Sequence, residues 1–192
     1  MKIVFATNNL NKLKEIQQIL PTSIELLSLK DIGFSGEIPE DHETLEENAF
    51  QKAQYIFDRY KISCFADDTG LEVESLNGAP GVYSARYAGD DCAAENNMKK
   101  LLSEMQGKAN RRAAFKTVVA FVTDTEKCAF KGIAIGEILN EKHGDKGFGY
   151  DPIFKPEGYD VSYAEMSSLE KNKISHRGKA VRKFTDYISL MS

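Results

Sequence analysis

The sequence predicts a mixed helix-and-strand protein, because strand-like apolar runs and helical apolar spacings alternate along it. Three observations carry this. A short buried strand at residues 2 to 6 runs through a polar turn into a helix with Leu10, Leu13, Ile16 and Leu20 on one face, stopped by Pro21. A second strand, 24 to 29, is followed after a loop by a helix opening at Thr44. Two long β-patterned stretches, 113 to 122 and 128 to 139, flank Thr123-Asp124-Thr125-Glu126-Lys127 as a hairpin.

A chain of 192 residues suits one domain, or two closely packed lobes, with a substantial core. Its 42% hydrophobic and 28% charged residues are ordinary for a soluble globular protein. No apolar run reaches the length of a membrane span, since Lys116 and Lys131 interrupt the longest strand-like stretches. Met1-Lys2-Ile3-Val4-Phe5 enters a strand directly and lacks the apolar region of a signal peptide, so the expected location is the cytoplasm. Cys64, Cys92 and Cys128 lie far apart with no CxxC, which suggests neither a disulfide framework nor a zinc site. The formal net charge of −4 argues against a general nucleic-acid binder. A phosphate-bearing small molecule stays open, because a local cluster of Lys and Arg with a bound cation offsets the background.

The first turn, Ala6-Thr7-Asn8-Asn9, joins a strand to a helix, an arrangement that aims backbone N–H groups at an anion. Asn tolerates left-handed angles, so Asn8 and Asn9 could replace the usual glycines, with Lys12 reaching back from the first helical turn. The plainer alternative is a capped helix with Lys12 solvated. The loop from 30 to 41 carries Gly33, Gly36 and Pro39, and Thr44-Leu45-Glu46-Glu47 reads as a capping box opening a helix to about Tyr60. Glu40 stands just before that helix, while Asn48 and Lys52 share one of its faces. Read locally, Glu40 and Lys52 are by default solvated surface charges.

Phe65-Ala66-Asp67-Asp68-Thr69-Gly70-Leu71-Glu72-Val73 reads as a strand that stops, shows two carboxylates and turns at Thr69-Gly70 into another. Neighbouring strand side chains face opposite ways, so Asp67 and Asp68 are expected to have different tasks. A carboxylate at a strand end can hold a hard cation or take a proton from water. An ordinary Asp-rich turn is the alternative. Residues 76 to 89, rich in Gly, form a shaped loop with Tyr83, Arg86 and Tyr87; a helix from about Ala93 to Met105 follows. In Gly144 to Phe154 the glycines let backbone approach a ligand, and Phe148 offers a flat face for a base or, alternatively, a buried aromatic turn. Near the end, Lys171 precedes Ser175-His176-Arg177-Gly178, where Ser175 is expected to cap a helix. His176 and Arg177 in its first turn oppose the helix dipole unless an anion sits nearby.

Taken in order, these pieces resemble the inosine triphosphate pyrophosphatase family, also described as XTP/dITP diphosphatases. The matching stretches are Thr7-Asn8-Asn9-Leu10-Asn11-Lys12, Glu47-Asn48-Ala49 with Lys52, and Ala66-Asp67-Asp68-Thr69-Gly70-Leu71. Gly78 to Tyr87, Phe148-Gly149-Tyr150-Asp151-Pro152 and Ser175-His176-Arg177-Gly178 match as well. The resemblance runs from about residue 3 to 188 and treats residues 1–192 as one nucleoside triphosphate pyrophosphatase domain.

The resemblance implies an α/β fold of two lobes around an elongated mixed sheet flanked by helices, with the active site in the inter-lobe cleft and a homodimeric assembly. It implies a cytoplasmic house-cleaning hydrolase that converts ITP, dITP and XTP to monophosphate and diphosphate, with no nucleic-acid or membrane partner. Thr7, Asn8, Asn9 and Lys12 would hold the triphosphate. Glu40 and Asp68 would ligate Mg²⁺, directly or through water, with Asp68 the proton acceptor for the attacking water; Glu37, Asp41 and Glu43 are near enough to compete with Glu40. Lys52, Thr69 and Lys171 would contact substrate. Phe148, Gly149, Tyr150 and Asp151 would form the base pocket, closed by His176 and Arg177. Two rivals remain open: a pyrophosphatase of pyrimidine triphosphates and a non-catalytic nucleotide sensor.

Overall fold

In the computed structural model, which describes residues 1–190, the chain is an α/β protein. Strand β1 (Lys2–Phe5) feeds α1 (Leu10–Ile19), and β2 (Glu25–Leu27) leads through a loop to α2 (Leu45–Tyr60). Then come β3 (Cys64–Val73), the two-residue β4 (Pro80–Gly81) and α3 (Ala94–Glu104). The pair β5 (Arg112–Val122) and β6 (Lys127–Ile138), the short β7 (Phe154–Pro156), α4 (Ser168–Ile174) and α5 (His176–Ser189) complete it. The strands make one sheet in the order β2-β1-β3-β5-β6-β7, with β4 on β3. It is mixed: β1 runs parallel to β2 and β3, whereas β4 pairs antiparallel with β3 and β7 with β6.

Two compact units divide the chain. The first takes Met1–Asp68, Thr117–Gly132 and the segment from Arg177; the second takes Thr69–Lys116 and Ile133–His176. In the first unit Ile3, Phe5, Ile16, Phe65, Phe121 and Phe184 form one buried cluster. Phe65 is its centre, stacked on Phe5 at 4.6 Å between centroids and against Phe184 at 4.9 Å. A second cluster, with Val4, Ala53, Ile56 and Ala66, seats the apolar face of α2. The other unit is built on Leu71, Val73, Leu101, Phe115, Phe154 and Tyr163.

Several local expectations change. Strand β3 is continuous from Cys64 to Val73, so Asp67 and Asp68 sit inside a strand rather than at a turn. The local turn preference of Asp-Thr-Gly gives way to burial of most of the segment, Thr69 and Glu72 excepted. Asn9 is extended (φ −86°, ψ 105°), and the non-glycine residues with left-handed φ among the described residues are Lys61, Asn77 and Cys92. Leu10 is 69% exposed and lies outside the core. Ser175, extended at φ −67° and ψ 156°, ends α4 and immediately precedes His176, the first residue of α5.

Candidate functional site

Asp67 and Asp68 point to opposite sides of β3, and each meets its own cations. Asp67, 1% exposed, takes Lys12 Nζ on Oδ1 at 3.1 Å and Arg177 Nε on Oδ2 at 3.0 Å. Arg177, 2% exposed, also gives Nη1 to Glu15 Oε2 at 2.5 Å. The cation at the start of α5 therefore has its anions within the protein, which removes its conflict with the helix dipole. Burial alone would raise the Asp67 pKa, but Lys12 and Arg177 outweigh it and hold the carboxyl well below the usual range. For Lys12, burial dominates over the pull of Asp67, and its pKa is lowered.

Asp68 faces α2. Lys52 Nζ, on the buried side of that helix, donates to Asp68 Oδ1 at 2.8 Å and to Glu40 Oε1 at 2.5 Å. Burial raises the Asp68 pKa against the opposing effect of Lys52. Burial works against the Lys52 charge too, yet Asp68 and Glu40 prevail and its pKa rises. Of the acidic residues that precede α2, Glu40 is the one bonded to Lys52.

The turn after β1 is bonded mostly to itself. Thr7 Oγ1 accepts from Asn9 N at 3.1 Å, and Asn9 Oδ1 caps α1 by accepting from Asn11 N and Lys12 N at 2.9 and 3.2 Å. Asn8 Nδ2 donates to Gly36 O at 3.1 Å. The helix start is thus capped, as the plainer alternative requires, whereas Lys12 is ion-paired rather than solvated.

In the second unit, Asp151 Oδ2 accepts from Lys171 Nζ at 2.6 Å and from Phe148 N at 2.8 Å. The Lys171 ammonium lies 4.9 Å from the centre of the Phe148 ring. Gly147, at φ +75°, allows this: a Cβ there would overlap the Asp151 carboxylate. Tyr150 is buried, with its hydroxyl donating to Ser84 O at 2.9 Å. Thr69 and Gly149 are half-buried. His176, 3% exposed, stacks on Phe115 at 4.4 Å.

The expected residues thus form separate groups: Lys12 with Asp67 and Arg177; Lys52 with Glu40 and Asp68; and Phe148, Asp151 and Lys171 together. Glu15 was not legible as part of the first group. Its placement three residues after Lys12 and next to the core residue Ile16 was the available signal.

Glu40 and Asp68 suit a hard divalent cation, since two carboxylate oxygens converge on one positive centre. Mg²⁺ commonly takes one or two carboxylates and completes its shell with water and substrate phosphate. Among the described residues no group of three or more His, Cys, Asp or Glu is arranged to hold a metal.

An α/β fold with paired carboxylates and buried Lys and Arg has the parts that phosphoryl chemistry uses: positioning groups and positive charge. The chain belongs to the Ham1 family, whose model matches residues 3–187. It is 54% identical over 187 residues to a dITP/XTP pyrophosphatase of Flavobacterium psychrophilum, covering 97% of this chain and 98% of that protein. It is 55% identical over 189 residues to a dITP/XTP pyrophosphatase of Christiangramia forsetii, covering 98% and 100%. Among solved structures, the Ham1 protein of Staphylococcus aureus superposes with a TM-score of 0.90 at 36% identity over the whole of both chains. A HAM1 protein from Coxiella burnetii gives 0.90 at 34% identity over 98% of each.

Proposed function

We propose that the protein is a Mg²⁺-dependent diphosphatase that hydrolyses ITP, dITP and XTP to the monophosphate and diphosphate, as a cytoplasmic homodimer that cleanses the nucleotide pool. Family membership and near-full-length similarity to dITP/XTP pyrophosphatases support the reaction class. Among the described residues no helix is long and apolar enough to cross a membrane. The observation that carries the mechanism is the Lys52 ammonium held by both Glu40 and Asp68.

Water attacks the α-phosphorus, a new P–O bond forms as the bond to the bridging α–β oxygen breaks, and diphosphate leaves. Asp68 accepts the water's proton. Lys52 fixes the orientation of the Asp68 carboxylate through its 2.8 Å bond and supplies positive charge. Glu40 and Asp68 would hold Mg²⁺, which when bound neutralises charge on the triphosphate. The triphosphate falls to Thr7, Asn8, Asn9 and Lys12, with Thr69 a further contact.

The base is assigned to Phe148, Gly149, Tyr150, Asp151 and Lys171, with His176 and Arg177 assigned to it by the resemblance alone. Lys171 can only donate, so it suits the 6-oxo acceptor of hypoxanthine or xanthine and not the 6-amino donor of adenine; guanine shares the 6-oxo group, so its rejection must act on its 2-amino group. A mismatch of that kind is worth on the order of 10⁴-fold in selectivity. Replacing Asp68 by Asn tests the proton-acceptor role. Single-turnover release of diphosphate from ITP should fall roughly 10²–10⁴-fold, and full turnover in that variant would refute the assignment.

A further inference from the structure

The segment Glu40-Asp41-His42 has no regular structure of its own, yet each of its residues is held by a different residue of α2. Lys52 takes the Glu40 carboxylate at 2.5 Å. Gln51 grips Asp41 twice, its Oε1 accepting from Asp41 N at 2.9 Å and its Nε2 donating to Asp41 Oδ2 at 2.8 Å. Asn48 grips His42 twice, its Oδ1 accepting from His42 N at 2.9 Å and its Nδ2 donating to His42 O at 3.1 Å. The order is reversed, 40 to 52, 41 to 51 and 42 to 48, so the segment lies antiparallel to the helix. Asn48 is 2% exposed, whereas the side chain of Glu40 is 40% exposed. A half-exposed carboxylate on an irregular segment is otherwise free to sample many positions.

We propose that Asn48 and Gln51 are positioning residues that fix the backbone beside Glu40, and so hold its carboxylate where it shares a cation with Asp68. Neither side chain bonds to Glu40 itself. They work by satisfying the amides of the next two residues, which leaves the Glu40 side chain little backbone freedom. The same grip explains why Glu40, and not its acidic neighbour Asp41, supplies the second carboxylate: Gln51 already holds Asp41. Residues that orient metal ligands typically affect metal affinity by about 10–100-fold. This inference rests on the proposed role of Glu40 and Asp68 toward a divalent cation.

The test uses the full chain with Asn48→Ala, Gln51→Ala, the double substitution, and Glu40→Gln as reference. Mn²⁺ binding is read by electron paramagnetic resonance in the presence of α,β-imido-ITP, and amide hydrogen exchange is followed at Asp41 and His42. In the double variant both amides should lose protection and the Mn²⁺ dissociation constant should rise about tenfold. The Mg²⁺ concentration for half-maximal ITP turnover should rise with it, while kcat at saturating Mg²⁺ stays within about threefold of the starting protein. Gln51→Ala, at a half-buried position, guards against a double variant that fails to fold and should show a smaller shift in the same direction. Lost protection with unchanged Mn²⁺ affinity would overturn the proposal, as would a fall in kcat that saturating Mg²⁺ does not restore. Starting protein that binds no Mn²⁺, or a Glu40→Gln variant with unaltered affinity, would instead refute the metal reading and take the inference with it.

Discussion

Asp67 and Asp68 adjoin in sequence, yet their surroundings assign them different work. Asp67 is enclosed by Lys12 and Arg177, and Arg177 is bonded in turn to Glu15. Such a buried network costs desolvation to assemble, and removal of one member leaves its partners charged and underpaired. Asp67→Asn should therefore destabilise the protein by about 3 kcal/mol. Calorimetry should show this as a fall in Tm of roughly 6–12 °C for a chain of this size. An unchanged Tm would mean that the network adds nothing to stability. Asp68 has a smaller structural burden, because Lys52 keeps Glu40 when Asp68 is altered.

Among the elements, α5 is tied to the β5–β6 turn by Tyr187, whose hydroxyl donates to Glu126 Oε2 at 2.7 Å. That bond, foremost among its causes, pushes the Tyr187 pKa from 10.0 up to about 12. Because the folded value is raised, the bond contributes stability below the ordinary tyrosine range and loses it as pH rises through about 12. An alkaline titration followed at 295 nm should show Tyr187 ionising late, together with Tyr87 and Tyr150, whose values burial raises further. Glu126→Gln should return Tyr187 toward its ordinary value; a titration identical in that variant would contradict the assigned bond.

The elements also show what the sequence could reveal. The hairpin, α1, α2 and α3 announce themselves through apolar periodicity and caps such as Thr44, which accepts from Glu47 N at 3.2 Å. Helix α4 gives no such periodicity. Its seven residues, Ser-Leu-Glu-Lys-Asn-Lys-Ile, are mostly polar and too short for a periodic signal, although the Ser167 and Glu170 capping box was there to be read. The turn expected at Thr69-Gly70, just past Asp67 and Asp68, failed for a different reason. Their counter-ions come from α1, α2 and α5, and no local pattern encodes partners so far away in the chain. Motif order named the candidate site residues, whereas the pairing of Arg177 with Glu15 needed the fold.

At the level of the whole molecule, the proposed Mg²⁺ site at Glu40 and Asp68 would take further ligands from substrate phosphate, so cation and nucleotide would bind together. Mg²⁺ alone should shift Tm little, and Mg²⁺ with α,β-imido-ITP should shift it more than the two separate shifts combined. Simple additivity would contradict a cation site completed by substrate phosphate.

Turnover of ITP, XTP, GTP, ATP and dTTP with Mg²⁺, scoring diphosphate separately from orthophosphate, tests the central claim most directly. Diphosphate from ITP and XTP, with GTP, ATP and dTTP nearly untouched, is the expected result. Orthophosphate release, or comparable use of all five nucleotides, would contradict both the bond assigned to cleavage and the base selectivity.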